Sequence, residues 1–306
     1  MDWDKLRLFY IVADSGSFTT ASNRLNMSQS ALSRQIKSLE DSIGVSLFTR
    51  HARGIVLTSE GEKLFNTAND VYHKIEATED SLQEDKEKPI GRLRVTTTVT
   101  FGAYWLTPRL KDFTDAYPGI ELQLLLSDDD MDLAAGDADI AIRFHAPEQA
   151  DLIQKFLTPI YHNLYSSPDY VNEKGMPTTA EDLNHHNLIV YGDLAPTEIK
   201  NVNWVLKRGA GNFKRRPLVA VNSLFGVLEA VRAGMGIAAL PDYLVQQDQS
   251  VVRILPNEDG PAFEAYFVYA KELRGSPRIN AFRDFLLKKI DEATKQSLKF
   301  DTRDGQ

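Results

Sequence analysis

Leucines, isoleucines and aromatics return every three or four positions over the first forty residues, and that spacing predicts three short helices. Leu6, Phe9, Tyr10 and Ala13 form the first apolar stripe. Ser15-Gly16-Ser17 stops it, with Ser17 placed to cap a second helix over Thr20 to Leu25. Asn26 suits a left-handed terminator, and Ser28 suits the cap of a third helix. There Leu32, Ile36, Leu39 and Ile43, spaced by four, three and four residues, predict one buried stripe. Val45 to Thr49 and Ile55 to Thr58 then read as a hairpin turning at Gly54. Thr58 or Ser59 caps the next helix, with Ser59 and Glu62 as a capping box. Leu64, Ala68, Val71, Ile75, Thr78 and Leu82 continue that helix as a heptad seam until Pro89-Ile90-Gly91 ends it.

Beyond Gly91 the period changes. RLRVTTTV and IELQLLLS read as strands flanking an amphipathic helix from about Ala103 to Tyr117. ADIAIRF, HNLIVYG, PLVAV and AYFVYA are further strands. A last helix over Arg278 to Ala293 carries Ile279, Phe282, Phe285, Leu286 and Ile290 on one face. Strands alternating with helices predict an α/β architecture with parallel sheets. The expected fold class is therefore an α+β multidomain protein, since 306 residues exceed one ordinary core.

Composition narrows the function classes. A hydrophobic share of 42% and a charged share of 25% fit a globular chain rather than a disordered one. The absence of cysteine removes disulfides and thiolate metal sites. The acidic N-terminus lacks the cationic start of a signal peptide, and charges interrupt the longest apolar run, so a cytoplasmic protein with no membrane association is expected. The formal net charge of −8 argues against nucleic-acid binding on average. Locally it reverses: Arg24, Arg34, Lys37, Arg50 and Arg53 face only Glu40 and Asp41 between Arg24 and Arg53.

The third helix shows what that local charge can do. Opposite its aliphatic stripe lie Gln29, Ser30, Ser33, Arg34 and Lys37, close to the helix N-terminus. A short helix, a turn and a second helix with outward polar N-terminal residues is the helix-turn-helix arrangement. Gln pairs with adenine and Arg with guanine, while Ser28 and the helix N-terminus can hold a phosphate. A solvated helix face is the competing explanation. The hairpin adds Arg50, His51 and Arg53 beside that helix, as a wing whose arginines can enter a minor groove; a merely charged, solvent-exposed hairpin is the alternative. Nine acidic against four basic residues between Glu60 and Lys88 exclude the long helix from DNA contact. Its seam suits pairing with a second copy, with packing against its own domain as the alternative.

SFTTASNRLNMSQSALSRQIKSLEDSIGVSLFTRHARGIVLTSEGE, residues 17–62, resembles the N-terminal winged helix-turn-helix of LysR-type transcriptional regulators. The Ser-Gln-x-Ala-Leu-Ser core, the Leu-Glu pair, the Gly-x-x-Leu-Phe-x-Arg turn and the Leu-Thr-x-x-Gly exit carry the likeness. Many members have proline where this chain has Ser30. The resemblance implies that Gln29, Ser30, Ser33, Arg34 and Lys37 face double-stranded DNA, that Arg50 and Arg53 come from the wing, and that the long helix dimerises. A homodimer or homotetramer on a dyad-symmetric promoter site follows, and contact with RNA polymerase is compatible with it. GRLRVTTTVTFGAYWLTPRLKDFTDAYPGIELQL, DLAAGDADIAIRF and GVLEAVRAGMGIAALPDYLV resemble the effector domain of the same family, a two-lobed α/β fold similar to periplasmic solute-binding proteins. The expected layout is a DNA-binding domain over 1–58, a linker helix over 59–89, lobe 1 over 92–160 and 271–295, lobe 2 over 161–270, and a polar tail over 296–306. The lobe crossings are expected near Pro159–Tyr161 and Phe267–Lys271.

Ligands of open α/β sheets bind beyond strand C-termini, near helix N-termini. Thr98 and Thr100, at positions that commonly contact effector in the family, and Phe101 stand at the first strand end, with Ser127, Arg143 and Phe144 at the next two. Tyr191 and Asn222 take matching places in the second lobe. Hydroxyls and free helix amides there suit an anionic small-molecule effector. Arg143 either neutralises the anion or bridges to Asp139 or Glu148, and Phe144 lines the cleft or belongs to the core. Asp128, Asp129, Asp130 and Asp132 oppose an anion only if they face the cleft; helix capping and solvation are the expected roles. No enzyme signature stands: GMG at 234–236 follows a helix, GAG at 209–211 lacks its third glycine, and the adjacent His185-His186 do not converge on a metal. No cofactor is expected. The rival readings are a solute-binding or enzymatic α/β protein, against which residues 1–88 count, and a non-specific DNA-organising protein.

Overall fold

The computed structural model describes residues 2–51, 54–83, 88–146, 149, 151–192, 201–246 and 248–301. The chain divides into two compact units, the first carried by Met1–Gln83 and the second by the bulk of the chain beyond Glu84.

In the first unit, α1 (Trp3–Ser15), α2 (Phe18–Arg24) and α3 (Gln29–Ile43) pack around Phe9, Leu32, Ile36 and Leu39. The capping chemistry is local. Asp2, Ser17 and Ser28 each accept a first-turn amide, and Gly16 and Gly44 close α1 and α3 in the left-handed region. Asn26 is left-handed at φ 52° and turns the chain between α2 and α3. Each buried aliphatic contributes about 1.5–3 kcal/mol, so the α3 stripe outweighs an exposed ion pair such as Arg24–Asp14, at about 0–1 kcal/mol. Ile43, expected in that stripe, is 40% exposed because α3 has run past the packing of α1.

Strands β1 (Phe48–His51) and β2 (Gly54–Leu57) pair antiparallel as the hairpin. Glu40 fixes its base: one carboxylate oxygen accepts the Leu47 amide at 2.7 Å and the Phe48 amide at 3.4 Å. Helix α4 (Ser59–Gln83) is capped by Thr58, not by a Ser59 box. Thr58 Oγ1 accepts the Gly61 amide and donates to the Ser46 carbonyl, while Ser59 turns to Glu60.

The start of the α4 seam faces inward. Ala68 is 1% exposed, Leu64 and Phe65 pack on the same core, and Tyr10 stacks on Phe65 and Tyr72. The expectation that Ala68 meets a second copy is therefore corrected, since its own unit buries it, while Leu64, like Val71, is half-buried. Val71 is half-buried and Ile75 is 37% exposed. The side chain of Leu82 lies outside the described residues.

The second unit has two lobes. In lobe 1, β3 (Gly91–Thr97) pairs parallel with β4 (Ile120–Leu126) and β5 (Ile140–Arg143), joined by helical turns ending in α5 (Leu110–Ala116). The long β6 (Leu152–Ser166) leaves lobe 1 and enters lobe 2. There follow α6 (Pro168–Lys174), β7 (Leu188–Tyr191), β8 (Val219–Val221), α7 (Leu224–Arg232), β9 (Ile237–Pro241), α8 (Asp242–Val245) and β10 (Val252–Ile254). Strand β11 (Ala262–Ala270) returns to lobe 1, and α9 (Pro277–Asp301) packs Ile279, Phe282, Phe285 and Leu286 against its sheet.

The sheets are mixed rather than parallel. Strand β11 runs antiparallel to both β5 and β6, and β6 runs antiparallel to β9 and β10. The second crossing is also earlier than Phe267–Lys271. Tyr266 to Tyr269 already pair with β5 and Phe267 is in the lobe 1 core, so the chain crosses before them, at the start of β11.

Candidate nucleic-acid interface and effector cleft

The α3 stripe dictates its opposite edge. With Leu32, Ile36 and Leu39 buried, the 3.6-residue period turns Gln29, Ser30, Arg34 and Lys37 outward, all exposed, with Ser33 half-buried beside them. Arg34 Nε reaches only the Ser30 carbonyl, at 3.3 Å, which sets the guanidinium along the helix. Ser28 is exposed, but its hydroxyl accepts the Ala31 amide and meets Ser30 Oγ at 3.2 Å. Capping thus already engages the group expected to hold a phosphate. A groove of about 970 Å³ runs between the start of α2, α3 and the hairpin, lined by Ser17, Thr19, Gln29, Ser30, Ser33 and His51 among others. His51 of the expected wing is part of this wall, and Thr19 extends it beyond the residues expected from sequence. Arg50 belongs to β1 but its side chain, like the whole of Arg53, lies outside the described residues.

In the second unit a cavity of about 570 Å³, counted to its open mouth, separates the lobes. Thr98, Thr100, Asp128 and Phe144 line it from lobe 1; Tyr191, Val202, Leu224 and Tyr243 line it from lobe 2 and α8; Ile160, His162 and Phe263 come from the crossing strands. The crossings are pinned together. Asn163 donates to both oxygens of Asp242 and accepts the Gly260 amide, Tyr165 donates to Asp242, and the Pro261 carbonyl accepts the His162 amide. Burial pushes the Asp242 carboxyl up, against these hydrogen bonds. Away from the cavity lining, the rings of Tyr104 and Phe225 meet across the lobes at 5.5 Å.

Of the residues expected in the cleft, Thr98, Thr100, Phe144 and Tyr191 are brought together there. The other four are not. Phe101 is buried beneath the wall, stacked on Trp105 and edge-on to Phe144 and Tyr243, and so supports the lining without joining it. The Ser127 hydroxyl accepts the Asp129 amide in its own turn. Arg143 is 7% exposed, 3.1 Å from Asp130, with Nη2 donating to the Met131 carbonyl; Asp139 pairs instead with Arg94, Glu148 lies outside the described residues, and Arg143 does not line the cavity. Asn222 is exposed and outside the lining. Thr97, read as a plain strand residue, donates to the Ile142 carbonyl across β3 and β5.

The wall's polarity is the larger correction. Asp128 faces the cavity, and its carboxylate accepts the Val99 amide at 3.0 Å. One of the helix amides expected to meet an anionic effector, that of Val99, is thus occupied by the protein's own carboxylate. Nearby, burial works against the ionised Asp130, but its hydrogen bond to His145 and the charge of Arg143 outweigh it and hold its carboxyl below the usual range. His145 is raised in return. His162, 6% exposed, is driven by burial down to about 4 and is neutral at pH 7; its Nδ1 has no hydrogen-bond partner among the described residues. Burial, with Asp128, raises the phenols of Tyr191 and Tyr243, which therefore stay protonated. Sequence reasoning missed Ile160, His162, Val202, Leu224, Tyr243 and Phe263. The crossing strands bring Ile160, His162 and Phe263 to the cleft, the start of α7 brings Leu224, α8 brings Tyr243 and the chain after β7 brings Val202; no local motif marks them.

Residues 3–62 match the family model described as bacterial regulatory helix-turn-helix protein, lysR family, and residues 86–291 match the LysR substrate binding domain. The HTH-type transcriptional regulator CrgA of Neisseria meningitidis serogroup C is 30% identical over 295 residues, covering 94% of this chain and 96% of that protein. The glycine cleavage system transcriptional activator of Escherichia coli K12 is 30% identical over 298 residues, covering 96% and 95%. Among solved structures, CrgA from Neisseria meningitidis superposes with a TM-score of 0.59 at 27% identity, covering 94% of this chain and 99% of that one. Full-length CbnR complexed with its target DNA shares the fold, with a TM-score of 0.68 at 20% identity over 94% and 100%.

Proposed function

The chain belongs to the LysR family of bacterial helix-turn-helix regulators, and from that premise we propose that α3 reads a promoter duplex while the interlobe cavity takes the controlling small molecule. It is a DNA-binding transcription regulator with a C-terminal effector-binding domain. The exposed edge of Gln29, Ser30, Arg34 and Lys37 on a helix whose other face is buried carries the DNA assignment. Arg50 and Arg53 add charge from the wing. Two copies held together would present two such edges to a dyad-symmetric site, and the outward Ile75, with Val71 and Leu82, is the part of the α4 seam left for that pairing. The protein acts in the cytoplasm; among the described residues no helix is long and apolar enough to cross a membrane.

Control follows from linkage. A ligand between lobes held by two crossing strands shifts the lobe angle only by its differential affinity for the two arrangements, typically about 1–3 kcal/mol. That shift changes the spacing of paired DNA-binding domains and, at a promoter, contact with RNA polymerase.

Footprinting upstream of the protein's own gene, with and without candidate metabolites, tests the reading; protection equal to that of random DNA at matched salt would favour a non-specific DNA organiser. On the protected site Arg34→Ala should cost about 1–3 kcal/mol and relax one base preference. A gel-shift series over single-base operator variants checks it, and uniform weakening across all variants would move Arg34 to the phosphates. Thr100→Val keeps shape and removes a hydroxyl from the cavity wall. It should blunt the effector-dependent part of a reporter response several-fold, and an unchanged response would take Thr100 out of the site.

A further inference from the structure

The cleft's chemistry discriminates between effector classes, an inference that rests on the cleft being the effector site. Asp128 is the one formally charged side chain lining the cavity at neutral pH among the described residues. Two of the groups expected to receive an anion are engaged. The Val99 amide is bonded to Asp128, and Arg143 is bonded to Asp130 and the Met131 carbonyl. Other buried arginines are also occupied: Arg215 donates to Asn184 and to the carbonyls of Ala180, Val205 and Arg208, and Arg94 pairs with Asp139. A ligand carboxylate entering here would lose its hydration and face a fixed carboxylate, with no cation among the described lining residues to answer it.

The same wall welcomes a cation. Phe144, Phe263 and Tyr243 supply aromatic faces, Thr98 and Thr100 hydroxyl acceptors, and Asp128 the opposite charge. The Nδ1 of His162, in a ring lining the cavity, is buried and has no hydrogen-bond partner among the described residues, so a polar group of the ligand can supply one. We infer that the effector is an amine: a protonated amino group against Asp128 on an apolar body held between Phe144, Leu224 and Phe263, with no carboxylate of its own.

Calorimetric titration of the full-length protein with three single-ring probes of matched shape tests this: phenethylamine, phenethyl alcohol and hydrocinnamate. Phenethylamine should bind at least tenfold tighter than hydrocinnamate, with the alcohol between them. Asp128→Asn, which keeps an oxygen for the Val99 amide, should bring the amine and carboxylate within threefold of each other. Equal or tighter binding of hydrocinnamate, no heat from phenethylamine at millimolar concentration, or an amine preference unchanged in Asp128→Asn would each overturn the assignment. Leu224→Trp, which fills the cavity, separates the two levels of inference. If it abolishes hydrocinnamate binding as tight as the amine's, the cleft remains the effector site and only the amine assignment falls. If probes bind Leu224→Trp as well as the wild type, they bind elsewhere and the cleft reading falls too.

Discussion

Gly61→Ala should unfold or severely loosen the DNA-binding unit and abolish operator binding. Gly61 is in the first turn of α4, where a Cβ would stand 2.1 Å from the Leu47 carbonyl oxygen and 3.1 Å from its carbon. That carbonyl cannot retreat freely. It accepts the Thr58 amide at 3.0 Å, the Leu47 amide is held by Glu40, and the Leu47 side chain is in the core. Relief of the clash therefore breaks the Thr58 bond, or pulls α4 off the hairpin base and disturbs the Thr58 cap on α4. Overpacking alone costs about 1–3 kcal/mol, and each broken buried hydrogen bond adds about 1–3 kcal/mol. The loss should approach the whole margin of a domain this small. Thermal melts with a gel-shift readout check it, with the exposed Asn66→Ala as the neighbouring control. A Gly61→Ala protein with the wild-type melting point and operator affinity would show that the hairpin base yields without cost.

The glycine also shows why the first unit was legible and the second only in part. Leu-Thr-x-x-Gly is a short string because the contacts behind it are short-range: cap, carbonyl and helix start sit within fifteen residues of one another. The same holds for Ser17, Asn26 and Ser28, whose caps and turn follow from their immediate neighbours. The polar edge of α3 was readable because periodicity fixes which side chains oppose a buried stripe. The seam of α4 failed at Ala68 for the converse reason. A heptad pattern records that a stripe is buried, not what buries it, and here α1 does so.

In the effector unit, strand ends announced Thr98, Thr100, Phe144 and Tyr191, since sheet topology places such ends around a cleft. Strand β6 was missed because it carries Pro159 and leaves one sheet for the other, so it keeps no single alternation of buried and exposed positions. With β6 went Ile160 and His162, and with the misplaced second crossing went Phe263. Arg143 misled for an electrostatic reason. An arginine near a cleft reads as an anion receptor until its carboxylate partner is known, and Asp130 is a partner thirteen residues away. Asp128 did the opposite: cap and wall are roles one side chain can fill at once, and the cavity's sign follows from the second.

His162 should make the effector unit lose stability on mild acidification, by about 3 kcal/mol between pH 6.5 and pH 4. The sign follows from proton counting. Unfolded, the imidazole takes up a proton near its ordinary value; folded, burial holds it down to about 4, opposed only in part by the Ile160 backbone. Between those values the unfolded chain binds the extra proton, so stability is complete above pH 6.5, falls through the window and flattens below it. His186, also lowered by burial, acts in the same direction. His145, raised by Asp130, has the opposite sign, contributing stability that is lost as pH rises through its folded value. A comparison of variants isolates the one group. Chemical denaturation across the window should show a steep slope for the wild type and a much shallower one for His162→Gln, which keeps a polar side chain beside Phe263 without a group that titrates there. Equal slopes in the two proteins would mean that the ring is hydrated or protonated in the folded state. The same measurement bears on the cleft, because a neutral His162 leaves Asp128 as the charge an entering ligand meets.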